Sequence, residues 1–124
     1  MSSKLFLISG ALINALGVIL GAFGAHFLKS RLHIDELVTY ETAIRYLFIH
    51  AMALIIISLL IKDLTNFSFK IAGVFFLVGI ALFSGSLLML IATKIHALGA
   101  ITPMGGLCFI IGWLMLAIGS FKTN

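Results

Sequence analysis

Residues Tyr40 to Leu60 read YETAIRYLFIHAMALIIISLL. The second half of this stretch is an unbroken apolar run. The first half carries Glu41, Arg45 and His50. A helix that crosses about 30 Å of hydrocarbon needs roughly 20 mostly apolar residues, and this stretch supplies them. It lacks the period-2 alternation of a barrel strand, and lipid requires that backbone hydrogen bonds close within the segment. The stretch therefore reads as a transmembrane helix with a carboxylate, a guanidinium and an imidazole near one mouth.

The same pattern recurs on both sides of it. Apolar runs extend from Leu5 to Leu28, from Tyr40 to Ile61, from Ile71 to Thr93 and from Thr102 to Phe121. The expected fold class is all-α, an integral membrane four-helix bundle forming a single domain over residues 1–124. Composition agrees, because the 124 residues are 62% hydrophobic and only 10% charged. A soluble domain carries about 25% charged residues, and a chain this short could not hide so much apolar surface from water. The bilayer is thus the expected partner of most of the surface. The uncharged run from Leu5 to Phe27 outlasts the roughly 7–15 residue core of a signal peptide, which favours a retained helix.

The formal net charge is +4. The basic residues stand singly or in pairs at the ends of apolar runs, where they anchor at headgroups. No basic stripe exists, so nucleic acid is not expected as a partner. Lys29, Ser30 and Arg31 close the first run. Lys62, Asp63, Asn66 and Lys70 surround the second turn, and Lys94 ends the third run. Thr102-Pro103 reads as an N-cap followed by proline in the first turn. Asp35 reads as the cap of a helix that begins among the headgroups and becomes the second span. Four crossings place both termini on one side. Lys4, Lys62, Lys70 and Lys122 lie on that side, and Lys29, Arg31 and Lys94 lie opposite, with Arg45 just inside. The positive-inside rule then leans slightly toward cytoplasmic termini.

Lipid gives helices no hydrophobic reason to associate, so small residues that permit close approach mark the interfaces. Gly10, Asn14, Gly17, Gly21 and Gly24 form one stripe on the first span. Ala81, Gly85 and Ala92 form another on the third, flanked by Ser84 and Ser86. Gly105, Cys108, Gly112 and Gly119 form a third. Gly10, Gly17, Gly21, Gly85, Gly105, Gly112 and Gly119 are the expected packing glycines. Packing within the bundle is the expected role of each stripe, and the alternative is that one of them docks a partner subunit. Asn14 lies at mid-membrane depth and is expected to hydrogen-bond across to Ser84 or Ser86. Cys108 can form no internal disulfide and reads as a small packing residue.

His26, Glu41, Arg45, His50, Lys94, His96 and Thr102 all map toward one membrane face. Glu41 precedes Arg45 by four residues, the favourable order for a helical ion pair. His50 falls half a turn from Glu41 and shares its face with Tyr46, so the second helix presents two polar faces. His26 points away from the glycine stripe unless Gly24 ends the first helix in a left-handed turn. The candidate site for a ligand or partner is therefore His26, Glu41, Arg45, Tyr46, His50, His96 and Thr102, with Asn14, Ser84 and Ser86 as polar groups within the membrane. No HxxxH or ExxH spacing suggests a metal, and no cofactor is implied. No acid, base and nucleophile share a face, so an enzyme is not expected. The leading functional expectation is a binding or assembly module whose polar site engages a partner protein, a lipid headgroup or a second copy. The alternative is a small transporter or channel, proton-coupled through His50 and Glu41.

Four blocks, GALINALGVILGAFGAHFLK, YETAIRYLFIHAMALI, LFSGSLLML and LGAITPMGGLCFIIGWLML, together resemble the YgdD-like family of small membrane proteins, domain of unknown function 423. The matching positions are Gly21, Gly24, His26, Glu41, Thr42, Arg45, Tyr46, His50, Ser84, Gly85, Ser86, Thr102, Pro103, Gly105 and Gly106. The resemblance implies a multi-pass protein of the bacterial inner membrane, or of mitochondria in an animal. It implies no particular activity.

Overall fold

A computed structural model describes residues 1–64 and 66–123. Four helices carry the chain, and each is long and apolar enough to cross a membrane. Helix α1 is Ser3–Phe23 continued by one π-turn, Gly24–Leu28. Helix α2 is Ile34–Asp63. Helix α3 runs through Phe67–Ile80, a π-turn at Ala81–Gly85 and Ser86–Thr93. A 3-10 turn, His96–Ala100, leads into α4, Thr102–Phe121. No strand occurs among the described residues.

The spans lie where the hydropathy pattern puts them, but two begin earlier. Helix α2 starts at Ile34 rather than Tyr40, and α3 starts at Phe67 rather than Ile71. Asp35 and Glu36 in the first turn of α2, and Ser68 and Lys70 in that of α3, lower the local hydropathy and hide both early starts. Asp35 is not the cap of α2. Extended His33 holds that place without a side-chain bond, and Asp35 lies in the first turn, where a carboxylate favours the helix dipole. Thr102 is not the cap of α4 either, since the 3-10 turn feeds the helix directly through Ile101. Its hydroxyl instead meets Ser86 Oγ at 2.6 Å. Lys94 ends α3 with φ 59°, a left-handed residue whose N–H bonds back to Leu90.

Helices α2 and α3 form the centre of the bundle. Their membrane windows are 44% and 39% buried, against 17% for α1 and 17% for the last helix with its leading turn. Helix α1 packs on α2, and α4 packs on α3. The core is Phe6, Leu47, Leu54, Ile57, Phe69, Phe76 and Phe109. Much of it consists of rings set into glycine hollows. A Cβ at Gly73 would come within 2.5 Å of Phe6, at Gly79 within 2.5 Å of Phe109, at Gly112 within 2.6 Å of Phe76 and at Gly119 within 2.6 Å of Phe69. Tyr40 fills the hollow at Gly24, and Gly17 takes Leu47 and Phe48. At Gly105 the α4 backbone meets the α3 backbone at Leu82 and Phe83. Gly10 meets the backbone of Ala51.

Two of the seven expected packing glycines do not pack. The nearest atom to a Cβ at Gly21 would be 3.8 Å away, and at Gly85 3.9 Å away. The π-turn at Ala81–Gly85 explains the second case. An extra residue per turn rotates the face that follows, so Ser84 and Ser86 are buried in the place a straight helix would give Gly85. Gly73 and Gly79 are not among the seven, because six residues turn a helix by about 240°, so the two face different neighbours and form no stripe.

Candidate functional site

The bundle is tied by polar side chains that donate to carbonyls of neighbouring helices. A helical carbonyl keeps a second lone pair for such a bond. Ser84 Oγ donates to Ala43 O at 2.7 Å, fully buried between α3 and α2. Tyr40 Oη donates to Leu20 O, between α2 and α1. Ser3 Oγ donates to Ser58 O at 2.6 Å, and Asn66 Nδ2 to Gly119 O at 2.9 Å, near the terminal end. Asn14 does not join this set. Its amide donates to Gly10 O in its own helix at 2.9 Å, a local bond that needs no partner helix.

At the other end of the bundle the polar residues separate into two groups. Lys94 Nζ pairs with Glu36 across the ends of α3 and α2, the ion pair found among the described residues. Glu41 and Arg45 do not pair with each other. Both are exposed on α2 and both line a cleft of about 340 Å³ between α1 and α2. Lys29, at the end of the α1 π-turn, lines the same cleft. Its walls are Gly21, Gly24, Ile44 and Phe48, with the Tyr40 ring seated against Gly24. The unpacked Gly21 is thus accounted for, because it opens onto this space. His26 stays outside. Gly24 is right-handed at φ −61°, so the helix continues as a π-turn and leaves His26 exposed. His96 is likewise exposed, on the 3-10 turn. Neither histidine lines this cleft.

The depth of Arg45 makes the cleft an interfacial one. The 30 residues of α2 span about 45 Å at 1.5 Å per residue. About 30 Å of that lies in hydrocarbon, which leaves roughly 7 Å protruding at each end. Arg45 then has its Cα some 9 Å below the boundary by the same rise. Helical side chains lean toward the N-terminus, so the guanidinium can climb to the headgroups while its stem stays in lipid.

His50 belongs to a different place. It is not at the headgroup face but about 24 Å along α2, near mid-membrane, and it is only 3% exposed. Trp113 Nε1 donates to His50 Nε2 at 3.1 Å, and His50 Nδ1 lies 2.7 Å from Tyr46 O. An indole N–H can only donate. Nε2 must therefore accept, and Nδ1 carries the proton to the Tyr46 carbonyl. The ring is the neutral Nδ1–H tautomer, stacked on Phe109 at 3.4 Å and 7°. Tyr46 and Phe83 extend this aromatic group, their centroids 4.6 Å apart. It forms one wall of a wide groove between α2 and α4, about 780 Å³, that also reaches Arg45. Reading the sequence missed two site residues, Lys29, which read only as the charged end of the first span, and Trp113. A membrane indole near a histidine-bearing face is the only signal, and pairing two helices by it needs coordinates.

Among the described residues, no three His, Cys, Asp or Glu side chains converge as metal ligands would. The site instead combines two cations, one carboxylate and an apolar floor at a membrane boundary. With this geometry in view, the profile of the family described as "Protein of unknown function (DUF423)" matches residues 20–106. The chain belongs to that family. The match covers the cleft, the His50 face and the start of α4. The chain is 47% identical to the UPF0382 membrane protein SH2409 of Staphylococcus haemolyticus, over 96% of this chain and 97% of that one. It is 46% identical to the UPF0382 membrane protein SAB0533 of Staphylococcus aureus over the same shares. To the UPF0382 membrane protein YwdK of Bacillus subtilis it is 42% identical, over 96% of this chain and 98% of that one. No solved structure matches the chain. This DUF423 protein is thus a multi-pass membrane protein with bacterial relatives of nearly its own length.

Proposed function

We propose that this DUF423 protein is a binding module of the bacterial plasma membrane that holds the phosphate of a phospholipid headgroup in the cleft between α1 and α2. One observation carries the reading. Lys29 and Arg45 line one apolar-floored cleft at the headgroup boundary, and neither forms an ion pair among the described residues. Two cations near a low-dielectric floor attract a phosphodiester more strongly than they would in water. The volume is at the small end of ligand pockets, which run roughly 300–1,000 Å³. It suits a headgroup whose chains lie along the helices. With termini in the cytoplasm, the cleft faces the outer leaflet.

The proton-coupled alternative draws less support. His50 has both ring nitrogens occupied, and a second proton on Nε2 would face the Trp113 N–H donor. Glu41 lies on the opposite side of α2, in the other cavity.

The test uses full-length chain purified in mild detergent, incubated with phosphatidylglycerol and examined by native mass spectrometry. Wild type should retain one lipid, and inorganic phosphate should not displace it. Lys29→Gln with Arg45→Gln should remove it. Gly21→Leu, which fills the cleft where nothing presses on the glycine, should weaken it. Lys70→Gln at the terminal end should not. Equal retention by wild type and the Lys29/Arg45 double variant overturns the reading.

A further inference from the structure

Gly106 stands in α4 where packing does not demand a glycine. Eight helical glycines would drive a Cβ to within 3.0 Å of a neighbour, but at Gly106 the nearest atoms are the Phe83 ring at 3.9 and 4.0 Å. A helix-interior glycine is less favourable than alanine, so the gap it leaves calls for an occupant. Gly106 opens onto the α2/α4 groove of about 780 Å³, which Ile49, Ile110 and Trp113 also line. Arg45 lines this groove and the α1/α2 cleft alike. At 100° per residue, Glu41, Arg45 and Met52 form the outward ridge of α2. Phe48 falls to one side of it, in the cleft, and Ile49 to the other, in the groove.

We infer that one diacyl phospholipid straddles this ridge, with its phosphate on Arg45, one acyl chain descending past Phe48 and the other lying in the α2/α4 groove against Trp113. The inference rests on the headgroup reading above and adds where the lipid's body lies. A chain already in hydrocarbon gains no hydrophobic energy by entering the groove. It gains dispersion contact with fixed aromatic walls. Once the phosphate is held, the chain is delivered at high effective concentration. A headgroup bound over a shared arginine, between two open cavities, supplies that tether.

Trp113 is the only tryptophan of the chain, so its fluorescence reports the groove alone. Full-length chain in mild detergent is titrated with phosphatidylglycerol brominated on both acyl chains, and lipid retention is followed in parallel by native mass spectrometry. Quenching should saturate at one lipid per chain. Arg45→Gln should need about tenfold more lipid for the same quenching. Gly106→Leu should abolish the quenching while one lipid is still retained, and its unfolding midpoint checks that the fold is intact. Gly106→Ala, a smaller change, should leave quenching in place. Quenching identical in wild type, Arg45→Gln and Gly106→Leu would mean that chains touch Trp113 merely as solvent, which overturns the inference. Lipid retained through Arg45 with Trp113 unquenched overturns the groove assignment and leaves the headgroup site standing. No retained lipid at all overturns both.

Discussion

His50 and Trp113 share a hydrogen bond near the bilayer centre, 3.1 Å long, that joins α2 to α4 beside the stacked rings of His50 and Phe109. Trp113→Phe would leave Nε2 without a donor, and His50→Phe would leave the indole N–H without an acceptor. A buried polar group that loses its partner costs about 1–3 kcal/mol. Removing both together leaves neither stranded, so the double variant should be destabilised by less than the sum of the singles. The coupling expected for an intramembrane bond averages about 0.6 kcal/mol and reaches about 1.7. A double-mutant cycle on unfolding in mixed micelles measures it, and strictly additive single effects would show that the two groups do not act as a pair. Arg45 illustrates the opposite situation at the same scale. Its spacing from Glu41 suits an ion pair, yet both side chains turn to a cavity they share with Lys29. Spacing states which groups can meet on one helix. It does not include a neighbouring helix that offers them another place to go.

The helices hold together through glycine hollows, and the hollows differ in what fills them. Gly112 in α4 faces Phe76 of α3, where a Cβ would lie 2.6 Å from the ring. Gly106, six residues earlier in sequence, has nothing closer than 3.9 Å. Gly112→Leu should therefore cost about 1–3 kcal/mol more than Gly106→Leu, the range for overpacking a well-filled interface. Thermal unfolding of the two variants in one detergent compares them directly, and equal midpoints would contradict this account of the α3/α4 contact. The same contrast marks what the sequence could reveal. Four apolar runs and their charged ends locate the helices because burial in lipid acts on each run alone. Stripes mark Gly10 and Gly17 on α1, and Gly105, Gly112 and Gly119 on α4, as contacts because each set repeats along one face of its helix. Gly73 and Gly79 escape notice because six residues turn the helix by about 240°, so one faces Phe6 and the other Phe109 and neither repeats along a face. Gly85 misleads because the π-turn at Ala81–Gly85 shifts the face that a straight helix would present. Trp113 joins the site only through three-dimensional pairing with His50.

Considered whole, the molecule has a polar architecture that differs between its two ends while its count of cations hardly differs. One end carries the Lys29–Glu41–Arg45 cleft and the Lys94–Glu36 pair. The other carries the termini and the turn after α2, with Asn66 bonded to Gly119. A cleft at one end of the bundle meets one leaflet only, so orientation decides which leaflet it faces. Insertion follows the bias of Lys and Arg near the helix ends, counted over short loops. The terminal end has Lys4, Lys62, Lys70 and Lys122, and the cleft end has Lys29, Arg31 and Lys94. A margin that narrow should be easy to reverse. Lys62→Gln with Lys70→Gln leaves two cations at the terminal end against three at the other, and neither residue touches the cleft. The expected outcome is a cytoplasmic C-terminus in the wild-type chain and its redistribution to the outside in part or all of the double-variant population. A C-terminal reporter that is active on only one side of the membrane measures the shift. A C-terminus that stays cytoplasmic in the double variant would mean that orientation is set by something stronger than this balance, such as the first helix alone, whose flanking Lys4, Lys29 and Arg31 remain unchanged.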